Sequence, residues 1–367
     1  MTERVVSFSP GPGVLPLPVL EQIQAEIVSL PGVGASPLEV SHRGAWFTGV
    51  LERAVDDLGA LLDIPDTHRI VFCPGGASMQ FSMVALNLPA DERHPADVVV
   101  TGSWGAAAHR ELTRLGPTRL AWSGSDAGYT RVPTPEELVG ALSPGARLAH
   151  VTTNETIHGV RFASLPSTPS GVPLVADVSS DFLSGPLDIG RTGIVYAGAQ
   201  KNAGPAGVAV VIVREDLIGR APDGLPKLLD YRTYIEHGSL YNTPPVFAIY
   251  VIGLVARWLR DEIGGLESMR VRNEHKAALL YDEIDAAPGF YRGHAEPASR
   301  SLMNVTWRLP DDELERTFVE EAAAQGLTEL RGHRSVGGIR TSIYNAMPLD
   351  GVEALAAFMR SFRDRHS

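Results

Sequence analysis

Two hydrophobic patterns alternate along much of the chain: short continuous apolar runs, and longer segments with an apolar residue every three or four positions. The first is typical of strands buried on both faces of a sheet, and the second of amphipathic helices. The apolar runs predict strands at 69–72, 98–100, 148–152, 173–176, 194–197 and 208–213. The helical spacing predicts helices at 19–30, 46–62, 106–115 and 134–142, the last beginning at a capping box of Thr134 and Glu137. This alternation predicts an α/β fold with a mainly parallel sheet covered on both faces.

The pattern changes after residue 246. Helical segments at 247–261 and 266–284 lead into a smaller unit, with strands at 303–309 and 339–342 and helices at 313–325 and 352–362. We therefore expect a large α/β domain over residues 15–259 and a small α+β domain formed by residues 1–14 and 260–367. The longest apolar stretch, 246–255, is too short to span a bilayer and predicts a buried helix.

The charge balance is acidic, with 32 lysines and arginines against 43 aspartates and glutamates and a formal net charge of −11. Such a chain lacks the basic face that a nucleic-acid backbone requires, so we expect no nucleic-acid partner. A single cysteine, Cys73, excludes an internal disulfide and a cysteine-rich metal site, and we expect no metal. Residues 1–6 lack the apolar core of a secretory signal, so we expect a cytoplasmic protein that binds no membrane.

Three features follow predicted strands, where ligands of α/β sheets bind. Lys201 follows strand 194–197 and can form a Schiff base with an aldehyde cofactor, although a lone lysine is more often on the surface. Asp177 follows strand 173–176, where a carboxylate can keep a pyridine nitrogen protonated or can cap a turn. The small residues 75–78 precede a helix and either admit a phosphate to the backbone N–H groups or form only a turn. Together these features favour a site for pyridoxal 5'-phosphate (PLP).

Longer segments around these residues closely resemble the phosphoserine aminotransferase family, which belongs to class V of the fold-type I PLP-dependent transferases. The resemblance is carried by VADVSSDF at 175–182 and YAGAQKN at 196–202. Further matching segments are SHR at 41–43, TGSW at 101–104, NETIHG at 154–159, LYNTPP at 240–245, GHRSVGGIR at 332–340 and SIYNAM at 342–347. The resemblance covers nearly the whole chain. It implies a seven-stranded sheet domain, a smaller α+β domain, and amino transfer between glutamate and 3-phosphohydroxypyruvate that yields phosphoserine and 2-oxoglutarate in serine biosynthesis.

The resemblance also implies a role for each matching residue. Lys201 would hold PLP and move the α-proton, and Asp177 would pair with the pyridine nitrogen. The remaining cofactor-binding residues would be Trp104 stacked on the ring, Thr156 near the ring hydroxyl, Ala77, Ser78 and Gln200 at the phosphate, and Asn242 and Thr243 reaching that phosphate from the neighbouring subunit. That last contact implies a homodimer with shared active sites. Considered alone, Trp104 would more often belong to a core and Asn242–Thr243 to a turn.

The proposed substrates are anions, so an acidic protein must bind them through focused cations. Candidates are His42, Arg43, His333, Arg334 and Arg340, because the planar guanidinium matches carboxylate and phosphate oxygens, although arginines more often lie on solvated surfaces. By resemblance, Arg43 would contact the α-carboxylate side. His333, Arg334 and Arg340 would bind the phosphate or the side-chain carboxylate of glutamate.

Two departures from the family and several rival functions leave the substrate preference open. Pro10 lacks the N–H group of the small residue that many members carry there, and Ser78 stands where some members have arginine. Members of the family also act on a phosphohydroxythreonine in vitamin B6 synthesis, and this second substrate stays open. Another class V aminotransferase, such as the alanine–glyoxylate type, would not need the phosphate-binding segment 332–340. A cysteine desulfurase would need a mobile cysteine, whereas Cys73 ends a predicted buried strand, and a PLP-binding regulator would need a DNA-reading module.

Overall fold

A seven-stranded sheet forms the centre of the larger part of the protein in the computed structural model, which describes residues 4–367. The strands of the described chain are β1 (Val6–Ser7), β2 (His68–Pro74), β3 (Ala96–Val100), β4 (Thr118–Ser123), β5 (Leu148–Thr152), β6 (Asn154–Glu155), β7 (Val160–Arg161), β8 (Leu174–Asp177), β9 (Ile194–Gly198), β10 (Val208–Arg214), β11 (Arg292–Gly293), β12 (Asn304–Arg308), β13 (Leu327–Thr328) and β14 (Ile339–Ser342). The large sheet has the order β2-β10-β9-β8-β5-β3-β4. Only β10 runs against its neighbours, which confirms a mainly parallel sheet.

Helices cover both faces of this sheet. The α-helices are α1 (Leu17–Glu26), α2 (Ala45–Leu61), α3 (Ala77–Asn87), α4 (Ser103–Leu115), α5 (Pro135–Ala141), α6 (Glu215–Ile218), α7 (Tyr231–Glu236), α8 (Val246–Trp258), α9 (Leu266–Asp285), α10 (Asp312–Ala324) and α11 (Leu349–His366). Along β10, Val210 and Ile212 pack into one hydrophobic core, while Val211 and Val213 pack into another on the opposite face. Both faces are therefore buried, as continuous apolar strands predict.

A third hydrophobic core lies in the C-terminal part. It contains residues of α9, α10 and α11, and strands β11, β12 and β14 form an antiparallel three-stranded sheet beside them. Phe8 belongs to this core, and β1 pairs in parallel with β13, so the N-terminal segment packs with the C-terminal part. From these contacts we propose two domains, a large one of residues 15–259 and a small one of residues 1–14 and 260–367. Residues 1–3 lie outside the described residues. They belong to the small domain of that division and to the segment 1–6 considered for a secretory signal.

Most of the predicted elements are present; the structure adds several short ones, and two further differences concern the end of α1 and strand β4. The capping box of Thr134 and Glu137 begins α5 as predicted. The first helix ends at Glu26 and not at residue 30, because Pro31 disfavours a helical backbone at the residue before it and Gly32 then takes a positive φ of 74°. Strand β4 has no counterpart among the predicted strands. Within residues 4–367, no helix has the length and apolar character needed to cross a membrane.

Candidate active site

The order of strands in the large sheet brings the candidate residues to one edge. Strands β9, β8, β5 and β3 are consecutive, parallel neighbours, so their carboxyl ends meet at the same edge. Lys201 follows β9, Asp177 ends β8, Thr156 follows β5 by way of the short strand β6, and Trp104 follows β3. Residues separated by nearly 100 positions in the sequence therefore lie around one cleft.

Lys201 lies buried in the centre of this cleft. Its Nζ donates a hydrogen bond of 2.8 Å to Thr156 Oγ1 and lies 5.6 Å from the centre of the Trp104 ring. Burial lowers the pKa of Lys201 below its ordinary value, and the carboxylates of Asp177 and Glu155 oppose that shift. A buried amine with a lowered pKa is suited to nucleophilic and base chemistry.

The chain contains only two other lysines, Lys227 and Lys276, and neither offers a comparable amine. Lys227 is exposed. Lys276 is buried and its pKa is lowered to about 7 by burial, but its Nζ donates to the carbonyls of Ile343, Tyr344 and Met347 at 3.0, 2.7 and 3.2 Å. These carbonyls occupy all three N–H donors of the ammonium and stabilise its charged form. Lys201 is thus the lysine that the structure leaves ready for chemistry.

Asp177 presents a buried carboxylate beside Lys201. Its Oδ1 accepts hydrogen bonds from the Ser179 hydroxyl at 2.6 Å and from the Ser179 backbone N–H at 2.9 Å. Among the described residues no hydrogen bond reaches its second oxygen, so one oxygen is held in place and the other is open to a partner. Burial raises the pKa of Asp177, whereas Ser179 and the charge of Lys201 lower it. Ser179 was not predicted to have a role, although it lies within the matching segment 175–182.

Trp104 is held by a second residue that sequence analysis did not single out. The side chain of Glu155 is fully buried, and its two oxygens accept hydrogen bonds from the backbone N–H groups of Trp104 and Gly105 at 3.0 and 2.7 Å. Burial raises the pKa of Glu155 to about 7, against the lowering effect of these two bonds. The only sequence signal was its place between Asn154 and Thr156 in a matching segment.

The start of α3 offers free backbone donors at the same edge. Helix α3 begins at Ala77, and the preceding Gly76 provides no side-chain cap. The first N–H groups of a helix have no partner within it, so Ala77 and Ser78 present amides and a positive helix end to an anion. Gly75 has a φ of 100°, a conformation that favours glycine and turns the chain into the helix. Gln200 adjoins Lys201, and its carbonyl accepts a hydrogen bond from Gly13.

The N-terminal loop crosses this site. A Cβ added to Gly13 would lie 2.7 Å from the Lys201 carbonyl oxygen and from a ring carbon of Tyr344, so only glycine fits there. Pro10 lacks an N–H group, but its carbonyl accepts a hydrogen bond of 2.7 Å from the Tyr344 hydroxyl. Pro10 thereby anchors the loop through its carbonyl, and the neighbouring Ser9 hydroxyl accepts from the Gly11 N–H at 3.3 Å.

Among the five candidate substrate cations, Arg340 is the one that lies close to Lys201. It is a buried residue of β14, and its charge lowers the pKa of Lys201. Its Nε has no hydrogen-bond partner, and among residues 4–367 no carboxylate pairs with it. A buried guanidinium without a counterion is costly unless an anion binds there. His333 and Arg334 lie on the more exposed loop between β13 and β14, near enough to Arg340 that both arginines lower the pKa of His333 after the effect of burial.

Four further candidates are not joined to this cleft within one chain. His42 and Arg43 precede α2, and Asn242 and Thr243 precede α8; within the described chain none of them forms a hydrogen bond to Lys201, Asp177 or Thr156. His42 Nε2 and Asn242 Oδ1 are buried without a hydrogen-bond partner.

The residues at the cleft fit PLP in their chemistry. The Lys201 amine suits the aldehyde of PLP, and the open carboxylate oxygen of Asp177 suits its pyridinium nitrogen. The indole of Trp104 suits the aromatic ring, and the uncapped start of α3 suits the phosphate.

Comparison with known proteins gives the same result over nearly the whole chain. The family model described as aminotransferase class-V matches residues 5–355. The phosphoserine aminotransferase of Desulfosudis oleivorans is 51% identical over 363 residues, covering 99% of both chains. The solved structure of phosphoserine aminotransferase from Bacillus circulans subsp. alkalophilus has a TM-score of 0.96 at 47% identity and covers 100% of both chains. A PLP-bound phosphoserine aminotransferase from Trichomonas vaginalis has a TM-score of 0.89 at 36% identity, covering 97% of this chain and 100% of the other.

Proposed function

The chain belongs to the class-V aminotransferase family, and from that premise we propose that it transfers an amino group between glutamate and 3-phosphohydroxypyruvate. The products are 2-oxoglutarate and phosphoserine. The observation that carries the proposal is the arrangement at Lys201: a buried amine hydrogen-bonded to Thr156, with the carboxylate of Asp177 and the unpaired guanidinium of Arg340 near enough for their charges to act on its pKa. The names of the relatives support phosphoserine as the substrate.

The enzyme depends on PLP, which supplies an electron sink that stabilises a carbanion at the α-carbon of the substrate. Lys201 would hold the cofactor, Asp177 would keep its ring nitrogen protonated, and Trp104 would cover its ring face. Thr156 would lie near the ring hydroxyl, and Ala77, Ser78 and Gln200 would contact the phosphate. The support for these assignments is the position of each residue at one edge of the sheet.

Lys201 has two roles in this proposal. As the cofactor's anchor it needs a neutral amine, and burial supports this by lowering its pKa. Once the amino acid is bound, the Lys201 Nζ is free to take the proton from its α-carbon. In the second half of the reaction it returns a proton to the α-carbon of the acceptor. The Thr156 hydroxyl, 2.8 Å from Nζ, orients the amine for both roles.

Arg340 is best placed for the α-carboxylate of the substrate. The α-carbon must lie beside Lys201, so the carboxylate attached to it lies near Arg340, whose charge lowers the pKa of Lys201. This differs from the role that the resemblance implied, in which Arg340 bound the phosphate or the side-chain carboxylate. The more exposed His333 and Arg334 are then candidates for the distal phosphate. We also propose His42 and Arg43 for the phosphate, although the resemblance implies that Arg43 contacts the α-carboxylate side.

The homodimer with shared active sites is part of the proposal. The resemblance supports it, and so does the exposure of Arg43 and Thr243 in the single subunit, where neither is hydrogen-bonded to the cleft residues. In this arrangement His42, Arg43, Asn242 and Thr243 would complete the partner's site. A cytoplasmic location and the lack of nucleic-acid and membrane partners are likewise proposed. The single reduced cysteine supports the location, and the acidic charge supports the lack of a nucleic-acid partner.

Two rival activities receive less support. Cysteine desulfuration would need a reactive thiol, whereas Cys73 is buried in β2 and burial raises the pKa of its thiol. Transamination of alanine with glyoxylate would leave the cations His333 and Arg334 without a ligand.

A transamination assay tests the proposed function. Purified enzyme with PLP is offered phosphoserine, 4-phosphohydroxythreonine, serine or alanine as amino donor, with 2-oxoglutarate as acceptor, and glutamate formation is measured. We expect kcat/KM for phosphoserine to exceed that for serine and alanine by about 1000-fold, because a donor without the phosphate leaves the cations that bind it unpaired. Equal values for phosphoserine and alanine would contradict the proposal.

A further inference from the structure

Glu155 caps a helix from a distant part of the chain. Helix α4 begins at Ser103, and its N-cap residue is Gly102, which has no side chain to accept the first N–H groups. Glu155 acts as the cap in its place, since Oε2 accepts from the N–H of Trp104 and Oε1 from the N–H of Gly105, the second and third residues of the helix. These are the two donors that an ordinary N-cap side chain satisfies, and a negative charge there also complements the helix dipole.

The sequence around α4 leaves room for this carboxylate. A Cβ added to Gly102 would lie 2.5 Å from Glu155 Cδ, which is closer than real carbon atoms approach. A Cβ added to Gly105 would lie 3.3 Å from Glu155 Oε1. Both glycines therefore allow the backbone of α4 to close around a carboxylate that is itself fully buried.

The two ends of Glu155 lead to two different neighbours of the reacting amine. Its carboxylate holds the backbone of Trp104, whose ring lies 5.6 Å from Lys201 Nζ. Its main chain continues directly into Thr156, whose hydroxyl accepts the hydrogen bond from Lys201 Nζ. One residue thus links the aromatic wall of the cleft to the hydroxyl that orients the lysine.

We propose that Glu155 is a positioning residue of the transamination site, which fixes Trp104 and Thr156 relative to each other and so shapes the space for the cofactor ring before PLP binds. This inference rests on the proposed function for its catalytic consequence only. A carboxylate is required because both of its oxygens accept hydrogen bonds. The amide of glutamine would turn an N–H donor toward one of the two backbone N–H groups and leave that group buried and unpaired.

Three variants and a matched control test the inference. Glu155→Gln removes one acceptor, Glu155→Asp retains the charge but shortens the side chain, and Gly102→Ala leaves Glu155 intact but forces it to move. The control is Asp97→Asn, because Asp97 is also a fully buried carboxylate and accepts hydrogen bonds from Arg119 and from the backbone of Ser143. Asp97 forms no hydrogen bond or ion pair with a cleft residue, so Asp97→Asn reports the cost of losing a buried carboxylate outside the site.

The readouts are chosen so that a loss of general stability cannot imitate a loss of positioning. In the apo-protein, hydrogen exchange measured by mass spectrometry follows the amides at the start of α4, and PLP affinity is measured by titration without substrate. In the loaded enzyme, kcat and KM are measured separately. We expect Glu155→Gln and Gly102→Ala to speed exchange at the start of α4, to weaken PLP binding by about tenfold, and to lower kcat with little change in KM. Glu155→Asp should recover part of the PLP affinity.

The control separates the two outcomes. We expect Asp97→Asn to lower the melting temperature but to leave PLP affinity equal to that of the wild type. The inference is overturned if Glu155→Gln and Gly102→Ala match Asp97→Asn, with reduced melting temperature and unchanged PLP affinity. If Glu155→Gln does not fold, Gly102→Ala and Glu155→Asp decide by the same criterion. If the wild type did not use phosphoserine, the proposed substrate would be wrong. The hydrogen-exchange and PLP-titration results do not depend on that substrate, so they would still test the role of Glu155.

Discussion

Lys201 donates a hydrogen bond of 2.8 Å from its Nζ to the hydroxyl of Thr156, a residue 45 positions earlier in the chain. The contact joins a lysine that follows β9 to a threonine that follows β6, across the end of β8 where Asp177 lies. This hydrogen bond orients the amine and leaves its other two substituent positions without a hydrogen-bond partner among the described residues.

Removal of the Asp177 charge should lower the pKa of Lys201. The carboxylate stabilises the ammonium form and so raises this pKa against the lowering effect of burial. In the apo-protein, Asp177→Asn should therefore move the reaction of Lys201 with an amine-modifying reagent to lower pH. Because the chain has three lysines, the modified peptides are separable by mass spectrometry. Asp97→Asn serves as the control and should leave the midpoint unchanged; a midpoint that rises in Asp177→Asn would show that the two groups do not interact as described.

Arg340 and Arg334 should affect different parts of the substrate. Arg340→Ala removes the proposed partner of the α-carboxylate, which all amino donors share, so KM for phosphoserine, glutamate and alanine should each rise by about 100-fold. Arg334→Ala should raise KM for phosphoserine but leave that for alanine nearly unchanged, since alanine has no distal anion. Steady-state kinetics with the three donors check both expectations. If Arg340→Ala weakened phosphoserine and spared alanine, Arg340 would be a phosphate ligand instead.

Shared active sites predict recovery of activity in mixed dimers. Lys201→Ala destroys the site of its own subunit, whereas Asn242→Ala combined with Thr243→Ala would destroy the site of its partner. Subunits of the two inactive proteins, unfolded together and refolded at equal amounts, should regain about a quarter of the wild-type activity, because half of the dimers are hybrids with one intact site.

The informative comparison is with each inactive protein refolded alone, which should stay inactive. A mixture that also stays inactive, although hybrid dimers are detected by mass spectrometry, would show that Asn242 and Thr243 serve their own subunit.

The parts of the fold that sequence predicted well are those buried on both sides. Strands β5, β8, β9 and β10 are continuous apolar runs, since helices cover both faces of the sheet. Strand β4 was missed because it lies at the edge of the sheet and is only half-buried, so Arg119 interrupts its apolar pattern. The end of α1 was misplaced because Leu30 is buried outside the helix, where its N–H donates to the carbonyl of Ala35.

The candidate site divides in a similar way. Lys201, Asp177 and Thr156 could be predicted because each follows a strand within a long matching segment. The role of Glu155 could not, since its hydrogen-bond partners lie about 50 residues away and depend on the packing of α4 against β6. The burial of Arg340, near enough to Lys201 for its charge to lower the pKa of that lysine, and the exposure of Arg334 likewise depend on how segment 332–340 packs.

The role of Lys201 as the cofactor's anchor is tested by locating the covalent attachment of PLP. The purified enzyme is loaded with PLP, reduced with borohydride to fix any lysine adduct, digested, and mapped by mass spectrometry. We expect the label on the peptide containing Lys201, no label in Lys201→Ala, and labelling of Lys227→Ala equal to that of the wild type. A label on Lys276 or Lys227, or no label on a protein that still transaminates, would contradict that role.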